Sequence, residues 1–261
     1  NTPDTPTAAE PSTEPPATEP SRAPLGMRFP RGAWWLVACS VALVAVSLGS
    51  YFILVRNAGV PHTFDLVWWL FDVGREYNIA TWFNSLLWVM LAGLAALGMA
   101  LTHRRWSWGV LALVATVASI DEFAELHERL DVFGIRIAER LGIDLWFTWV
   151  LAAIPIVIVI VLALLPLALA LPVGQLVLLV AGGAIFLLGA LGLETLSGMD
   201  LRAAEGLQGD TYVWITAFEE LFELVGISVA IGALAGLYEW HRRDGALDIR
   251  FRGWRTRTVA A

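Results

Sequence analysis

Acidic side chains recur at helical spacing inside two strongly apolar stretches of the chain. The first is SIDEFAELHERL, residues 119–130, which follows the apolar run WGVLALVATVA. The second is AFEELFELVG, residues 217–226, whose three glutamates repeat the spacing of Asp121, Glu122 and Glu125. A carboxylate at the centre of a membrane helix costs roughly 2.5–3.5 kcal/mol on insertion scales. Acids retained in such surroundings indicate a functional site at which protons or cations compensate them.

Facing carboxylates repel one another unless protons, water or cations lie between them. The chain has no lysine to neutralise them, since its basic residues other than histidine are all arginine. Oxygen ligands suit hard or borderline ions, so we expect one or two divalent metal ions, with Fe, Mn, Mg and Ca all open. The predicted ligands are Glu122, Glu125, Glu194, Glu220 and Glu223. The side chains predicted as outer ligands or proton relays, and as catalytic groups if the protein is an enzyme, are Glu76, Asp121, His127 and Glu219.

The composition indicates which elements hold these acids. The 261 residues are 57% hydrophobic and only 16% charged, which is typical of a multi-pass membrane protein. Cys39 is the only cysteine, which excludes a disulfide framework and a thiolate metal site. Windows long enough to cross a bilayer lie near residues 33–55, 80–102, 107–128, 146–170, 174–196 and 212–239. We therefore expect an all-α polytopic membrane protein with a six-helix transmembrane bundle.

The arginines predict the orientation of this bundle. They cluster before the first window, at residues 104–105 between the second and third windows, and after the sixth. By the positive-inside rule both termini are cytoplasmic, as in a protein of the bacterial inner (plasma) membrane. The acids of the third and sixth helices then fall in the outer half of the bilayer. The segment TFDLVWWLFDVGREYN, residues 63–78, is predicted to include an interfacial helix on the outer surface.

Three regions follow from the same patterns. Residues 1–30 form a Pro/Thr/Glu-rich tail that we expect to be disordered and cytoplasmic, because it contains few large apolar side chains. Residues 31–241 form the transmembrane domain, whose first helix is an anchor rather than a cleaved signal peptide. Residues 242–261 form a basic cytoplasmic tail. The net charge of −7 comes from the acidic tail and the membrane acids, and we expect no nucleic-acid partner.

Established metal and hydrolase motifs match the chain poorly. Di-iron bundles pair Glu with Glu-x-x-His, whereas the corresponding spacings here are Glu122-x-x-Glu125 and Glu220-x-x-Glu223. The Glu-Glu pair resembles that of intramembrane CAAX-type proteases but lacks their following arginine and later histidines. The sequence contains no histidine boxes, no H-E-x-x-H motif, no phosphate loop and no serine elbow.

Ordinary structural roles are the alternative for several of these side chains. Glu128 and Asp131 can be a solvated helix end, and Glu125 can pair with Arg129 at i,i+4. On an ideal helix, His127 points roughly 160° away from Glu125, so only a break in the helix would bring the two together.

Three motifs together resemble an uncharacterised family of bacterial six-helix inner-membrane proteins. They are FDVGREYNIATWFNSLL at residues 71–87, SIDEFAELHE at residues 119–128 and EELFELVG at residues 219–226. The resemblance covers roughly residues 33–240, and Ala80 stands where typical members carry proline. It implies no activity. The residues it groups into one set are Asp72, Glu76, Asn78, Asp121, Glu122, His127, Glu128, Glu219, Glu220 and Glu223.

We therefore expect an integral membrane protein with a carboxylate-rich, metal-binding site in the outer half of the bilayer. If the protein is an enzyme, its partners are membrane lipids and a lipid or other apolar small-molecule substrate, on which metal-bound water would act. The alternative is a proton- or cation-translocating protein that uses the same acids as a relay. A structural subunit whose acids pair with the arginines of a partner is a third possibility.

Overall fold

The computed structural model describes residues 26–56, 65–243 and 246–254. Most of the predicted tail of residues 1–30 lies outside these ranges. The helices are α1 (Arg31–Ser50), α2 (Asp65–Phe71), α3 (Ile79–Leu101), α4 (Arg105–Ala124), α5 (Asp131–Leu141), α6 (Trp149–Ala168), α7 (Val173–Leu187), α8 (Glu194–Ala203) and α9 (Asp210–Ala235). Two strands follow, β1 (Tyr238–Arg243) and β2 (Ala246–Phe251), paired as an antiparallel hairpin.

Within the described residues, five helical segments are long and apolar enough to cross a membrane. They are Arg31–Val55, Ile79–Leu101, Arg105–Ala124, Trp149–Ala168 and Val173–Ala203. This confirms a mainly helical chain with several candidate membrane spans, close to where hydropathy predicted them. The sixth predicted helix, α9, is 26 residues long and packs against α1, α3 and α7. It contains Asp210, Glu219, Glu220 and Glu223, which lower its mean hydropathy.

The predicted end of the third helix was wrong. We expected it to continue to residue 128, but α4 ends at Ala124 and Glu125 adopts a left-handed conformation with φ 51°. Asp121 causes this break, because its side chain accepts a hydrogen bond from the backbone N–H of His127 at 2.7 Å and so competes with the helical pattern. A short 3₁₀ turn, Glu128–Leu130, then leads into α5. Asp121, Glu125 and Glu128 therefore do not share one helix face.

Asp131, which we considered part of a solvated helix end, has a structural role. It is the first residue of α5, and its Oδ1 accepts hydrogen bonds from the Thr148 hydroxyl at 2.7 Å and from the backbone N–H of Trp149 at 2.6 Å. These bonds satisfy donors at the beginning of α6, as an N-terminal cap does. Asp131 thereby ties α5 to α6.

Helices α7 and α9 approach each other at backbone distance. A Cβ atom added at Gly226 would lie 2.6 Å from the backbone N of Phe186 and 2.7 Å from the carbonyl oxygen of Gly182. At Gly189, an added Cβ would lie 2.7 Å from the carbonyl oxygen of Glu219. Small residues permit this approach, which is the usual way in which membrane helices pack closely. The crossing brings the chain around Gly189 directly against the acids of α9.

The connection between α7 and α8 is a π-helical segment, Leu188–Leu193. A π-helical turn contains one residue more than an α-helical turn of similar rise, and such turns are frequent at functional sites. Glu194 is the residue that follows this segment, as the first residue of α8.

The opposite end of the bundle, where α9 ends, is covered by residues of both termini. Gln175 is 1% exposed and exchanges two hydrogen bonds with the backbone of Arg28, at 2.9 and 2.8 Å. The aromatic rings of Phe251 and Trp254 pack on Trp108, which is fully buried. The hairpin occupies part of the predicted basic tail from residue 242, and sequence analysis did not anticipate it.

Candidate functional site

Six carboxylates from separate parts of the chain converge between the end of α4 and the middle of α9. Glu220 interacts electrostatically with Glu122, Glu76 and Glu194, and Glu223 interacts with the same three and with Glu220. Glu219 interacts with Glu194 and with both other glutamates of α9. We call this set the carboxylate cluster: Glu76, Glu122, Glu194, Glu219, Glu220 and Glu223. Five of these six residues are partly exposed, and Glu219 alone is buried.

Glu194 and Glu219 form a pair within the cluster, and Glu219 is its buried member. Their side chains are hydrogen-bonded to each other. The Trp149 indole N–H donates to Glu194 Oε1 at 3.3 Å, and the Ser197 hydroxyl donates to Glu219 Oε2 at 3.2 Å. An ionised carboxylate can only accept hydrogen bonds, so a bond between two carboxyl groups requires a proton on one of them.

Glu122 is held by two donors from α3. The Asn84 amide N–H donates to Glu122 Oε2 at 2.8 Å, and the Trp88 indole N–H donates to Oε1 at 3.3 Å. Asn84 and Trp88 are four residues apart on α3 and therefore lie on the same helix face. Both carboxylate oxygens of Glu122 are thus engaged by neutral donors.

Glu76 reaches the cluster from the loop before α3. Asn78 caps α3 by accepting hydrogen bonds from the backbone N–H groups of Ala80 and Thr81, at 2.8 and 3.1 Å. The Thr81 hydroxyl lies 3.2 Å from Glu76 Oε2 as a donor. Burial raises the pKa of Glu76 to about 7, opposed by the Thr81 bond and increased by the nearby charge of Glu125. The role of Asn78 in this loop is structural.

The helix break after α4 brings His127 back onto Asp121. In addition to the backbone bond already described, His127 Nδ1 lies 3.0 Å from Asp121 Oδ2. The imidazole ring also packs on Trp149, with the ring centroids 4.6 Å apart. Burial lowers the pKa of His127, but the Asp121 hydrogen bond and the surrounding carboxylates outweigh it and raise the pKa to about 9. His127 is therefore a cation near neutral pH, facing the acids Glu122 and Glu194.

The two pKa shifts predict how stability depends on pH. His127 and Glu76 both have raised pKa values in the folded state, so the stability that each contributes is lost as pH rises. The stability is lost over a pH window of about 6.5 to 9 for His127 and of about 4.5 to 7 for Glu76. We expect Asp121→Asn to flatten the fall in melting temperature across the upper window and to leave the lower window unchanged. Melting curves at several pH values check this, and an unaltered upper window in the variant would contradict the assignment.

Glu125 and Glu128 lie at the edge of the cluster. Glu125 forms a side-chain hydrogen bond with Tyr77, another residue in a left-handed conformation, with φ 62°. The side chain of Glu128 is exposed. Glu125 was predicted as a ligand alongside Glu122, but the break at its own position turns it toward the loop before α3 instead.

The predicted metal site is not supported by this geometry. Among the residues that the structure describes, no group of three or more His, Cys, Asp or Glu side chains is arranged to hold a metal ion. The predicted ligands Glu122, Glu125, Glu194, Glu220 and Glu223 all fall within the described ranges. Several are engaged by other partners, namely Glu122 by Asn84 and Trp88, and Glu194 by Trp149 and Glu219. A shared metal ion remains a prediction.

Three residues that contact the cluster escaped sequence analysis. Trp88 and Trp149 each donate an indole N–H to an acid, and Ser197 donates its hydroxyl to Glu219. Tryptophans near the ends of membrane helices commonly lie at the membrane surface, yet Trp149 is only 7% exposed. Trp88 follows Asn84 by four residues, so the helical spacing of polar groups on α3 was the signal that could have identified it.

Comparison with known proteins gives a family and no activity. The chain matches the domain of unknown function DUF8692 over residues 34–237, which include the whole carboxylate cluster. No curated protein and no solved structure matches the chain. The expectation of an uncharacterised family is thereby confirmed. The protein belongs to the DUF8692 family.

Proposed function

We propose that this protein is a six-span bacterial inner-membrane protein that exchanges protons with the outer side through its carboxylate cluster. The contact between Glu194 and Glu219 carries the proposal, because two facing carboxyl groups can share a proton. The chain contains no lysine, and no arginine within the described residues pairs with either acid. Intramembrane acids of this kind are typical of proton relays.

The neighbouring groups supply a route for protons to this pair. His127 interacts electrostatically with Glu76 and Glu122, and its ring packs on Trp149. Trp149 in turn donates a hydrogen bond to Glu194. Because Glu76 has a pKa of about 7, it can give and take protons near neutral pH. We infer that protons enter by way of Glu76 and His127 and reach the glutamates of α9 from there.

The remainder of α9 bears on the direction of exchange. From Leu224 to Ala235 it contains no ionisable residue, and its buried polar side chain Ser228 contacts only Ser40, at 3.4 Å, among the described residues. Protons would therefore return to the side from which they came unless the bundle rearranges. Proton uptake by purified protein on acidification, and pH-dependent flux in liposomes, test the proposal together. Uptake no greater than that of a cluster-free membrane protein would end it.

A metal-dependent enzyme acting on a lipid or other apolar substrate is the second candidate. It is favoured by the mutual proximity of Glu122, Glu220 and Glu223, three partly exposed acids that a divalent ion could neutralise. Metal analysis of the purified protein separates the two candidates. Stoichiometric Fe, Mn, Mg or Ca would favour the enzyme, and its absence would leave proton exchange.

The proposed orientation makes a labelling prediction. With both termini cytoplasmic, the connection between α8 and α9 is outside and the β-hairpin is inside. In a background with Cys39 replaced by serine, we expect Gln208→Cys to react with an impermeant thiol reagent in intact cells. Leu247→Cys, 58% exposed on the hairpin, serves as the matched inner position and should react only after permeabilisation. The reverse pattern would invert the bundle and place the cluster in the inner half.

A further inference from the structure

The amide oxygen of Asn84 is a buried acceptor without a hydrogen-bond partner. Asn84 is 2% exposed, and its N–H donates to Glu122 Oε2 at 2.8 Å, but its Oδ1 has no hydrogen-bond partner among the residues that the structure describes. An unsatisfied buried polar group costs roughly 1–3 kcal/mol, so each such group in a folded protein calls for an explanation.

Glu122 determines which way this amide faces. A carboxylate accepts hydrogen bonds and cannot donate them, so only the NH₂ group of Asn84 can face it favourably. Turning the amide over would bring two oxygen acceptors together. The free Oδ1 is therefore a consequence of the Glu122 contact.

Oδ1 also lies beside the carboxylate cluster. The nitrogen and oxygen of one amide are roughly 2.2 Å apart, which places Oδ1 within roughly 5 Å of Glu122 Oε2. Glu220 interacts electrostatically with Glu122, and α9, which contains Glu220, packs against α3. A cation or a proton donor next to these carboxylates would satisfy the free oxygen.

We propose that Asn84 Oδ1 and the carboxylates of Glu122 and Glu220 form a binding site for a small monovalent cation held by oxygen atoms. Hydronium and Na⁺ share this chemistry, and amide and carbonyl oxygens coordinate such coupling ions inside membrane proteins. A site with one neutral oxygen and two carboxylates differs from the predicted metal centre, which required several glutamates around one ion. This cation site deepens the proposed proton exchange, and it rests on that proposal because the cluster must be accessible from outside. The site does not include Glu194 or Glu219.

The test uses the full-length protein in lipid nanodiscs. One arm compares the melting temperature in NaCl with that in choline chloride at equal ionic strength, since an ion that binds the folded state raises it. The other arm measures proton uptake on acidification. If Na⁺ binds, the melting temperature of the wild type rises with NaCl and that of Asn84→Ala does not. If hydronium binds, Asn84→Ala takes up about one proton fewer per molecule than the wild type.

Ser85→Ala is the matched control. Ser85 is the next residue on α3, and its hydroxyl donates to the backbone oxygen of Ser119, away from the cluster. It should behave as the wild type in both arms. Asn84→Gln keeps both an amide N–H for Glu122 and an amide oxygen, so it should retain part of the response even if Asn84→Ala fails to fold.

Two results would overturn the inference. One is an equal response to Na⁺ and to pH in the wild type and Asn84→Ala. The other is a folded Asn84→Gln variant that responds to neither. Glu219→Gln separates this inference from the proposed function, because it should remove the shared proton of the pair and leave the Asn84-dependent response intact.

Discussion

Glu219→Gln is expected to remove the stored proton of the cluster. The glutamine NH₂ group can donate to Glu194 and its oxygen can still accept from the Ser197 hydroxyl at the position now 3.2 Å away, so no proton is needed to join the two side chains. We expect a titration from alkaline to neutral pH to count about one proton fewer taken up per molecule, because the wild type gains the shared proton in this range. Flux in liposomes should fall to the level of empty vesicles, while thermal stability stays equal or rises because like-charge repulsion is relieved.

Glu205→Gln is the matched control for this experiment. Glu205 is an exposed acid in the turn after α8, outside the cluster, so the same chemical change there should leave uptake and flux as in the wild type. Unchanged uptake in Glu219→Gln would mean that the pair holds no shared proton. The proposed function would then lose the observation that supports it.

Gly226→Ala is expected to cause the largest loss of stability. A methyl group at this position would lie 2.6 Å from the backbone N of Phe186 and 2.7 Å from the carbonyl oxygen of Gly182. Because both obstacles are backbone atoms of the facing helix, α7 and α9 would have to separate. We expect a cost of about 3 kcal/mol or more, at the upper end of overpacking substitutions, with a large fall in melting temperature or loss of the folded protein.

Gly183→Ala tests whether the effect comes from the crossing. Gly183 is also a helical glycine of α7, but an added Cβ there meets nothing within 4 Å. Alanine is favoured over glycine in helices by up to about 1 kcal/mol, so this variant should be neutral or slightly stabilised. Equal melting temperatures for Gly226→Ala and the wild type would show that the two helices can move apart at little cost.

The membrane spans could be predicted from sequence because long apolar runs have few other uses. The end of α4 could not. Apolar and acidic residues continue at helical spacing through Glu128, and the break depends on one side chain, Asp121, accepting the backbone N–H of His127. Local competition of this kind leaves almost no mark on periodicity.

The acids of the cluster were identified from sequence because charged groups in apolar runs are costly. Their partners were harder to recognise. Tryptophan is common at membrane surfaces, so the indole donors Trp88 and Trp149 resemble ordinary interfacial anchors until their neighbours are known. Repulsion between carboxylates had favoured a metal ion, whereas the structure gives Glu122 two neutral donors and places the His127 imidazole near Glu122 and Glu194.

The π-helical segment Leu188–Leu193 determines the direction in which the side chains of α8 point around the helix axis. Deleting one residue there would allow an uninterrupted α-helix through this region, and the downstream part would turn by about 100° relative to α7. Glu194 would then leave Glu219 although every acid of the chain was still present. The spacing between Gly189 and Glu194 is thus as informative as their identities. An alignment gap of a single residue within this segment would mark relatives in which the residues corresponding to Glu194 and Glu219 no longer face each other.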